Sequence, residues 1–95
     1  MKKITNSPII IKEIINNYLI ENEEQSLFAD GFDEAIIGVD SMSSRIIYSV
    51  SLCYKILQER DKLSFEDAQE HLAFNVFGSS VGDKTPIWSF DIWEL

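Results

Sequence analysis

Apolar residues at helical spacing open the chain and predict a first helix. Five of them share one face of that helix: Ile11, Ile14, Ile15, Tyr18 and Leu19. Ser7 supplies an N-cap hydroxyl and Pro8 suits the first helical position, so we expect the helix to run from there to about Glu21. Three further isoleucines lie partly off the face: Ile9, Ile10 and Ile20. The helix is therefore more apolar than a single contact with the core requires.

Two short β-type segments follow and predict an antiparallel hairpin. Residues 35–39 form the first strand and residues 45–50 the second, joined by a hydroxyl-rich connector. Alternation places Ala35, Ile37 and Val39 on one face of the first strand. Apolar residues occur on both faces of this hairpin, so we expect packed elements on each side of the sheet.

The next segment predicts two helices joined by a short link. The second helix starts at Ser49 or Ser51 and ends near Arg60. Its apolar stripe consists of Leu52, Cys53, Ile56 and Leu57. Ser64 is the N-cap of the third helix, and acids follow it in the first turn. Gly78 is the expected left-handed terminator of that helix.

The chain ends on a predicted third strand. Trp88, Phe90 and Ile92 alternate with polar residues, and the alternation breaks at Trp93. The predicted fold is α+β, with an N-terminal helix, a β-hairpin, a helical hairpin and a third antiparallel strand (α-β-β-α-α-β). The three-stranded antiparallel sheet is expected to pack on the helices.

Length and net charge limit the possible functions. The 95 residues are expected to form a single domain, residues 1–95, with residues 1–6 flexible. The net charge of −8 disfavours direct binding to nucleic acid or to an anionic membrane, because both attract basic surfaces. The same charge suits a basic protein partner. A domain of this size buries a limited core, so self-association or docking on another chain is expected.

Cysteine content and hydropathy indicate the compartment. Cys53 is the single cysteine, so no disulfide forms within the chain and the cysteine pairs of a zinc site are absent. The N-terminal apolar run is short and lacks the small-residue cleavage site of a leader peptide. No segment approaches the roughly 20 apolar residues of a membrane span. We therefore expect a cytoplasmic protein, in the host cytoplasm if a phage encodes it.

Three carboxylates surround Gly31 in residues 30–34, a segment that we call the acidic turn. Asp30, Asp33 and Glu34 do not follow the order of a calcium loop, which needs acids at alternate positions and a distal glutamate. The last two are adjacent at the start of a strand and would point to opposite faces. We predict no metal ligand and no catalytic residue here. The acids either are solvated or contact a partner or ligand.

Two further patterns fall short of catalytic motifs. His71 is the only histidine, and it lies on a different helix from Cys53, so a buried structural cysteine and a surface histidine are expected. Residues 78–85 contain glycine, lysine and threonine, but Asp83 separates the glycine and lysine that a phosphate-binding loop keeps adjacent. No cofactor is predicted.

The motifs along residues 28–90 resemble those of a set of small phage and prophage proteins. The resemblance rests on GFDEAIIGV at 31–39, Tyr48, Cys53, Ile56-Leu57, LSFEDA at 63–68, FNV at 74–76, Gly78, VG at 81–82 and TPI at 85–87. It implies a phage-type origin and no particular activity, because none is assigned to that set. The chain departs from the pattern at two positions: Glu34, where aspartate is expected, and Asp83, where glutamate is expected. It also has a longer, serine-rich hairpin.

Four polar residues within these motifs are not readily explained by folding: Asp33, Glu34, Asn75 and Asp83. Asn75, at the end of the third helix, is expected to bond back to the loop before Pro86. If that loop and the acidic turn adjoin in space, they form one polar rim.

Aromatic residues near the C-terminus are the other candidates for a binding surface. One alternating set of Tyr48, Trp88 and Phe90 belongs to the core, whereas Trp93 follows the break in phase and is the better interface candidate. The predicted partner- or ligand-binding residues are thus Asp30, Asp33, Glu34, Asn75, Asp83, Trp88 and Trp93.

These observations support three functional hypotheses. The first is a small acidic interaction protein, phage-like and without catalytic activity, that binds a host or phage protein. The second is an oligomeric protein that binds or sequesters a small ligand such as a nucleotide-type signal, with Arg45, Lys84 and backbone amides as the site. The third, least favoured, is a small hydrolase that uses the acidic turn.

Overall fold

A computed structural model describes residues 8–23, 26–75 and 84–92 of the protein. Its elements are α1 (Pro8–Glu21), a 3₁₀ turn (Asp33–Ala35), β1 (Ile36–Val39), β2 (Ile46–Ser49), α2 (Val50–Arg60), α3 (Phe65–Asn75) and β3 (Ile87–Ser89). The predicted α+β class and the order of helices and strands are confirmed. The expected flexible terminus at residues 1–6 and the expected terminator Gly78 lie outside the described residues.

The three-stranded sheet has the order β1-β2-β3, and its third strand corrects the prediction. β1 pairs antiparallel with β2 as expected, but β3 pairs parallel with β2. A strand antiparallel to β2 would start at the end of the sheet where β2 finishes. Instead Lys84 Nζ donates to Ser43 O at 2.8 Å, so the chain approaches β3 beside the start of β2. Both strands then run in the same direction.

β1 begins one residue later than predicted and contains a bulge. Ala35 belongs to the 3₁₀ turn and is fully buried. Ile36 pairs with Tyr48 and Gly38 with the adjacent Ile47, so Ile37 is left out of the alternation. Ile37 is 49% exposed. The predicted common face of residues 35, 37 and 39 is therefore wrong, because the bulge changes the direction of the strand between them.

Asp40 organises the loop between β1 and β2. Its Oδ2 accepts hydrogen bonds from Met42 N at 3.2 Å and from Ser43 N and Oγ, both at 2.7 Å. The hydrogen bond from the Ser43 hydroxyl is the main reason that the pKa of Asp40 is lowered. Ser44 closes the loop with a φ of 62°. The loop is thus held by its own side chains while Met42 is 92% exposed.

The core lies between the helices and the inner face of the sheet. α1 contributes Ile15 and Leu19 to it, as predicted, and Ile46 comes from β2. Ile14 was also predicted on the core face of α1, but it is 52% exposed. Among the described residues no helix is both long and apolar enough to cross a membrane.

The helical hairpin forms where its capping residues predict it. Ser49 Oγ accepts from Leu52 N at 3.2 Å, and Ser64 Oγ accepts from Asp67 N at 3.1 Å. The predicted stripe of α2 faces inward, with its cysteine and last leucine fully buried. Between the helices Lys62 adopts a φ of 60°, which allows Leu63 N to donate to the end of α2.

Lys62→Gly is expected to raise the free energy of unfolding. A left-handed backbone strains any residue that has a Cβ, and glycine avoids this strain in the folded state. Glycine also makes the unfolded chain more flexible, which offsets part of the benefit. We expect a net stabilisation of about 0.5–1 kcal/mol. Urea unfolding followed by circular dichroism measures it. Lys62→Ala removes the same charge but keeps the Cβ, so it should not stabilise. Equal stabilisation by both variants would show that charge, rather than the backbone, is responsible.

Candidate functional site

The acidic turn is a true backbone turn, as predicted from Asp30 and Gly31. Phe32 N donates to Ala29 O at 3.2 Å, and Gly31 has a φ of 87°. A Cβ added to Gly31 would lie 3.1 Å from an Arg60 nitrogen. Glycine is therefore required here both for its backbone conformation and for the close approach of a side chain.

Arg60, the last residue of α2, bonds to the acidic turn and holds it against that helix. Its Nη1 donates to Gly31 O at 2.6 Å, and its guanidinium lies 5.7 Å from the centre of the buried Phe32 ring. Asp61 accepts hydrogen bonds from Nε at 3.0 Å and from Nη2 at 3.2 Å. These bonds raise the pKa of Arg60 and lower that of Asp61. The guanidinium thus spans the turn and the helix end.

Asp33 ties the other side of the turn to α1. Its Oδ2 lies 3.6 Å from Lys12 Nζ, and the same ammonium lies 5.1 Å from the centre of the Phe28 ring. Its Oδ1 is buried and accepts no hydrogen bond. Asp33 therefore bonds within the fold, whereas Asp30 and Glu34 are exposed. The structure does not bring the three acids together as one acidic site.

Tyr48 lies beneath this region and connects it to the sheet. Its hydroxyl accepts from Ala29 N at 2.7 Å. Its ring stacks on Trp88 with centres 5.0 Å apart, and Tyr48 itself is fully buried. Trp88, a predicted contact residue, is thus a half-buried member of the sheet that covers a core tyrosine.

The remaining predicted site residues are only partly within the described structure. Asn75 is the last residue of α3, and its side chain is not among those described, so its predicted bond to the loop before Pro86 lies outside them. Asp83 and Trp93 also lie outside the described residues. Lys84 O accepts from Leu27 N at 3.3 Å, which brings the end of that loop beside the segment leading into the acidic turn.

The cationic side chains considered for an anion site bond to main-chain carbonyls. Arg45 Nε donates to Thr85 O, and its Nη2 lies 3.4 Å from Pro86 O. Lys84 donates to the hairpin loop, as described above. Both cations therefore hold the start of β3 against the start of β2.

A metal-binding cluster and a reactive cysteine are two catalytic features that can be assessed in the described residues. In ranges 8–23, 26–75 and 84–92 no group of three or more histidine, cysteine and acidic residues is arranged to hold a metal ion. Cys53 is fully buried, and burial raises its pKa to about 12, so the thiol is protonated at neutral pH. His71 is half-buried on α3.

The outer surface of α3 is a feature that the sequence analysis missed. Phe74 is 80% exposed. Three exposed carboxylates lie on the same helix: Glu66, Asp67 and Glu70. Phe65, although 51% exposed, is on the inner side and packs edge-on against Tyr54 of α2, with ring centres 5.3 Å apart. The helical spacing already placed Phe74 and the three acids away from Ala68 and Leu72, but the first two acids had been assigned only to the helix start.

Comparison with known proteins adds no relative. No family model, no curated protein and no solved structure matches the chain.

Arg60→Met is expected to destabilise the protein by about 1 kcal/mol, because the charged hydrogen bond to the turn and the guanidinium contact with Phe32 are both lost. Chemical unfolding measures the change. Lys55→Met on the exposed side of α2 is the matched control, since it alters the net charge equally. Similar losses in both variants would contradict the role of Arg60 as a fastening of the turn.

The free energy of unfolding should fall as pH rises from about 9 to 12. Burial raises the pKa of Cys53 from 9.0 to about 12 and that of Tyr48 from 10.0 to about 12. In this range the unfolded chain releases protons that the folded chain keeps, so alkali favours unfolding. Between pH 9 and 10 the effect belongs mainly to Cys53, so the free energy of unfolding of Cys53→Ala, measured with urea, should fall less steeply there; the remaining slope belongs to Tyr48. An unchanged slope in that variant would contradict the assignment.

Proposed function

We propose that the protein is a small, acidic interaction protein of phage type, which binds a host or phage protein and performs no chemistry of its own. The observation that carries this proposal is the display of large apolar side chains on a strongly acidic surface. Exposed apolar side chains contribute to a protein-binding surface where they lie together and are rimmed by polar residues. The net charge of −8 favours a partner of opposite charge.

The exposed apolar side chains are numerous for a domain of this size. They include Ile10, Ile14, Ile20, Leu27, Ile37, Met42, Phe65, Phe74, Phe90 and Ile92. Aromatic side chains are the most effective anchors of protein interfaces because they bury much apolar area at a small entropic cost. Phe74, which is 80% exposed and so the most exposed aromatic residue of this set, is therefore its strongest candidate for contact.

The acidic turn has a smaller part in this proposal than its sequence indicates. Gly31 and Asp33 bond to Arg60 and Lys12 within the fold. Asp30 and Glu34 are exposed and remain able to contact a basic partner. The turn thus supplies two carboxylates to the surface.

Binding of a small anionic ligand is the alternative, and the geometry favours it less. Such a site would need cations directed at the ligand. Arg45 and Lys84 direct their donors to carbonyl oxygens of the chain instead.

The compartment that we propose for the protein is the host cytoplasm, because a single cysteine stays reduced there.

Affinity capture from a host lysate tests the proposed function. The tagged protein should retain a small set of basic proteins, and these should elute as the salt concentration rises, because exposed charge pairs are screened. An unrelated acidic domain of equal net charge is the control for simple ion exchange. Recovery of the same proteins on both columns, or of a small molecule and no protein, would contradict the proposal.

A further inference from the structure

The exposed face of α3 combines an aromatic ring with carboxylates. Ala68 and Leu72 are fully buried and define the inner side of the helix. Glu70 and Phe74 are four residues apart on the opposite side, so they are neighbours, and Asp67 lies one turn before Glu70. Phe74 is 80% exposed, which leaves most of its ring in water.

Among residues 8–23, 26–75 and 84–92, no ion pair involves the carboxylates on this face. The ion pairs of the described residues join Lys12 to Asp33 and Arg60 to Asp61, and neither reaches α3. α3 itself carries no lysine or arginine. Glu66 and Asp67 are favoured in the first turn by the helix dipole, but Glu70 lies beyond it and repels Glu66. Within the part of the chain that the structure describes, no ion pair accounts for Glu70 and no packing accounts for the exposed ring of Phe74.

We propose that this face of α3 is the docking surface for a basic amphipathic segment of the partner protein. The inference rests on the proposed function and adds its location and the chemistry of its partner. Phe74 inserts between apolar side chains of the segment, and lysine or arginine side chains around them pair with Glu70 and Asp67.

Charge complementarity selects this occupant. Two copies of α3 brought face to face would juxtapose carboxylates, which is unfavourable. A nucleic acid would meet the same repulsion, because its phosphates need basic side chains. A segment with positive charge alone would leave Phe74 in water, so the partner must offer apolar side chains as well.

Fluorescence anisotropy with a labelled helical peptide of leucine and lysine tests the surface directly. We expect saturable binding that weakens as salt rises. Phe74→Ala should weaken it by about tenfold or more, as for a central aromatic anchor. Glu70→Gln should weaken it by about two- to fivefold, as for an exposed charge pair. A peptide with glutamate in place of lysine should not bind.

Matched variants separate the surface from general effects. Glu13→Gln removes an exposed carboxylate from α1, and Phe90→Ala removes a ring that is 53% exposed after β3. Neither should change binding. Unfolding of Glu70→Gln should occur at the same or a higher denaturant concentration, because a like-charge repulsion is removed. Absence of peptide binding, binding of the glutamate peptide, or equal losses in test and control variants would overturn the inference.

The lysate capture distinguishes the two proposals. If Phe74→Ala and Glu70→Gln retain the basic proteins as well as the unaltered chain does, the docking surface is wrong while the proposed function stands. If the unaltered chain retains no specific protein, the proposed function fails. A dimer that dissociates in Phe74→Ala would assign the face to a second copy and overturn the inference.

Discussion

The arrangement of the fold depends on one buried residue, Tyr48. Its ring fills the core beneath the sheet and stacks on Trp88 of β3, and its backbone pairs with Ile36 of β1. Its hydroxyl accepts the amide hydrogen of Ala29, so a backbone group that leads into the acidic turn is satisfied from inside the core. A single residue of β2 thus contacts β1 through its backbone, and β3 and the segment before the sheet through its side chain. Burial of that hydroxyl is tolerated because it is hydrogen-bonded.

This attachment explains why the acidic turn is chiefly a structural feature. The turn covers the core above Tyr48. It is bonded to two helices: Gly31 to Arg60 at the end of α2, and Asp33 to Lys12 in α1. Residues engaged in this way are poorly suited to bind a partner as well. On the solvent-facing side of α3, Glu70 is exposed and Phe74 is 80% exposed. The docking surface that we propose is therefore on a different element from the turn.

The candidate site could be predicted from the sequence only in part. The turn at Asp30 and Gly31 was predictable, because glycine after aspartate specifies a local conformation. The separate fates of Asp33 and Glu34 were not, since neighbouring carboxylates are equivalent until the positions of Lys12 and Arg60 are known. Trp88 was correctly identified as a large amphipathic side chain, but its stacking on Tyr48 depends on which strand pairs with which.

The sequence by itself determined the elements and their order, because caps and apolar stripes act within a few residues. Ser49 and Ser64 bond to amides three residues away, and such contacts need nothing from the rest of the chain. Only the tertiary structure decided the direction of β3 and the bulge in β1. Both depend on contacts between distant segments, such as Lys84 with the hairpin loop, whose energy is not visible in local spacing. The two faces of α3 could be read from its helical spacing, but which of them is buried was decided by the packing of Ala68 and Leu72.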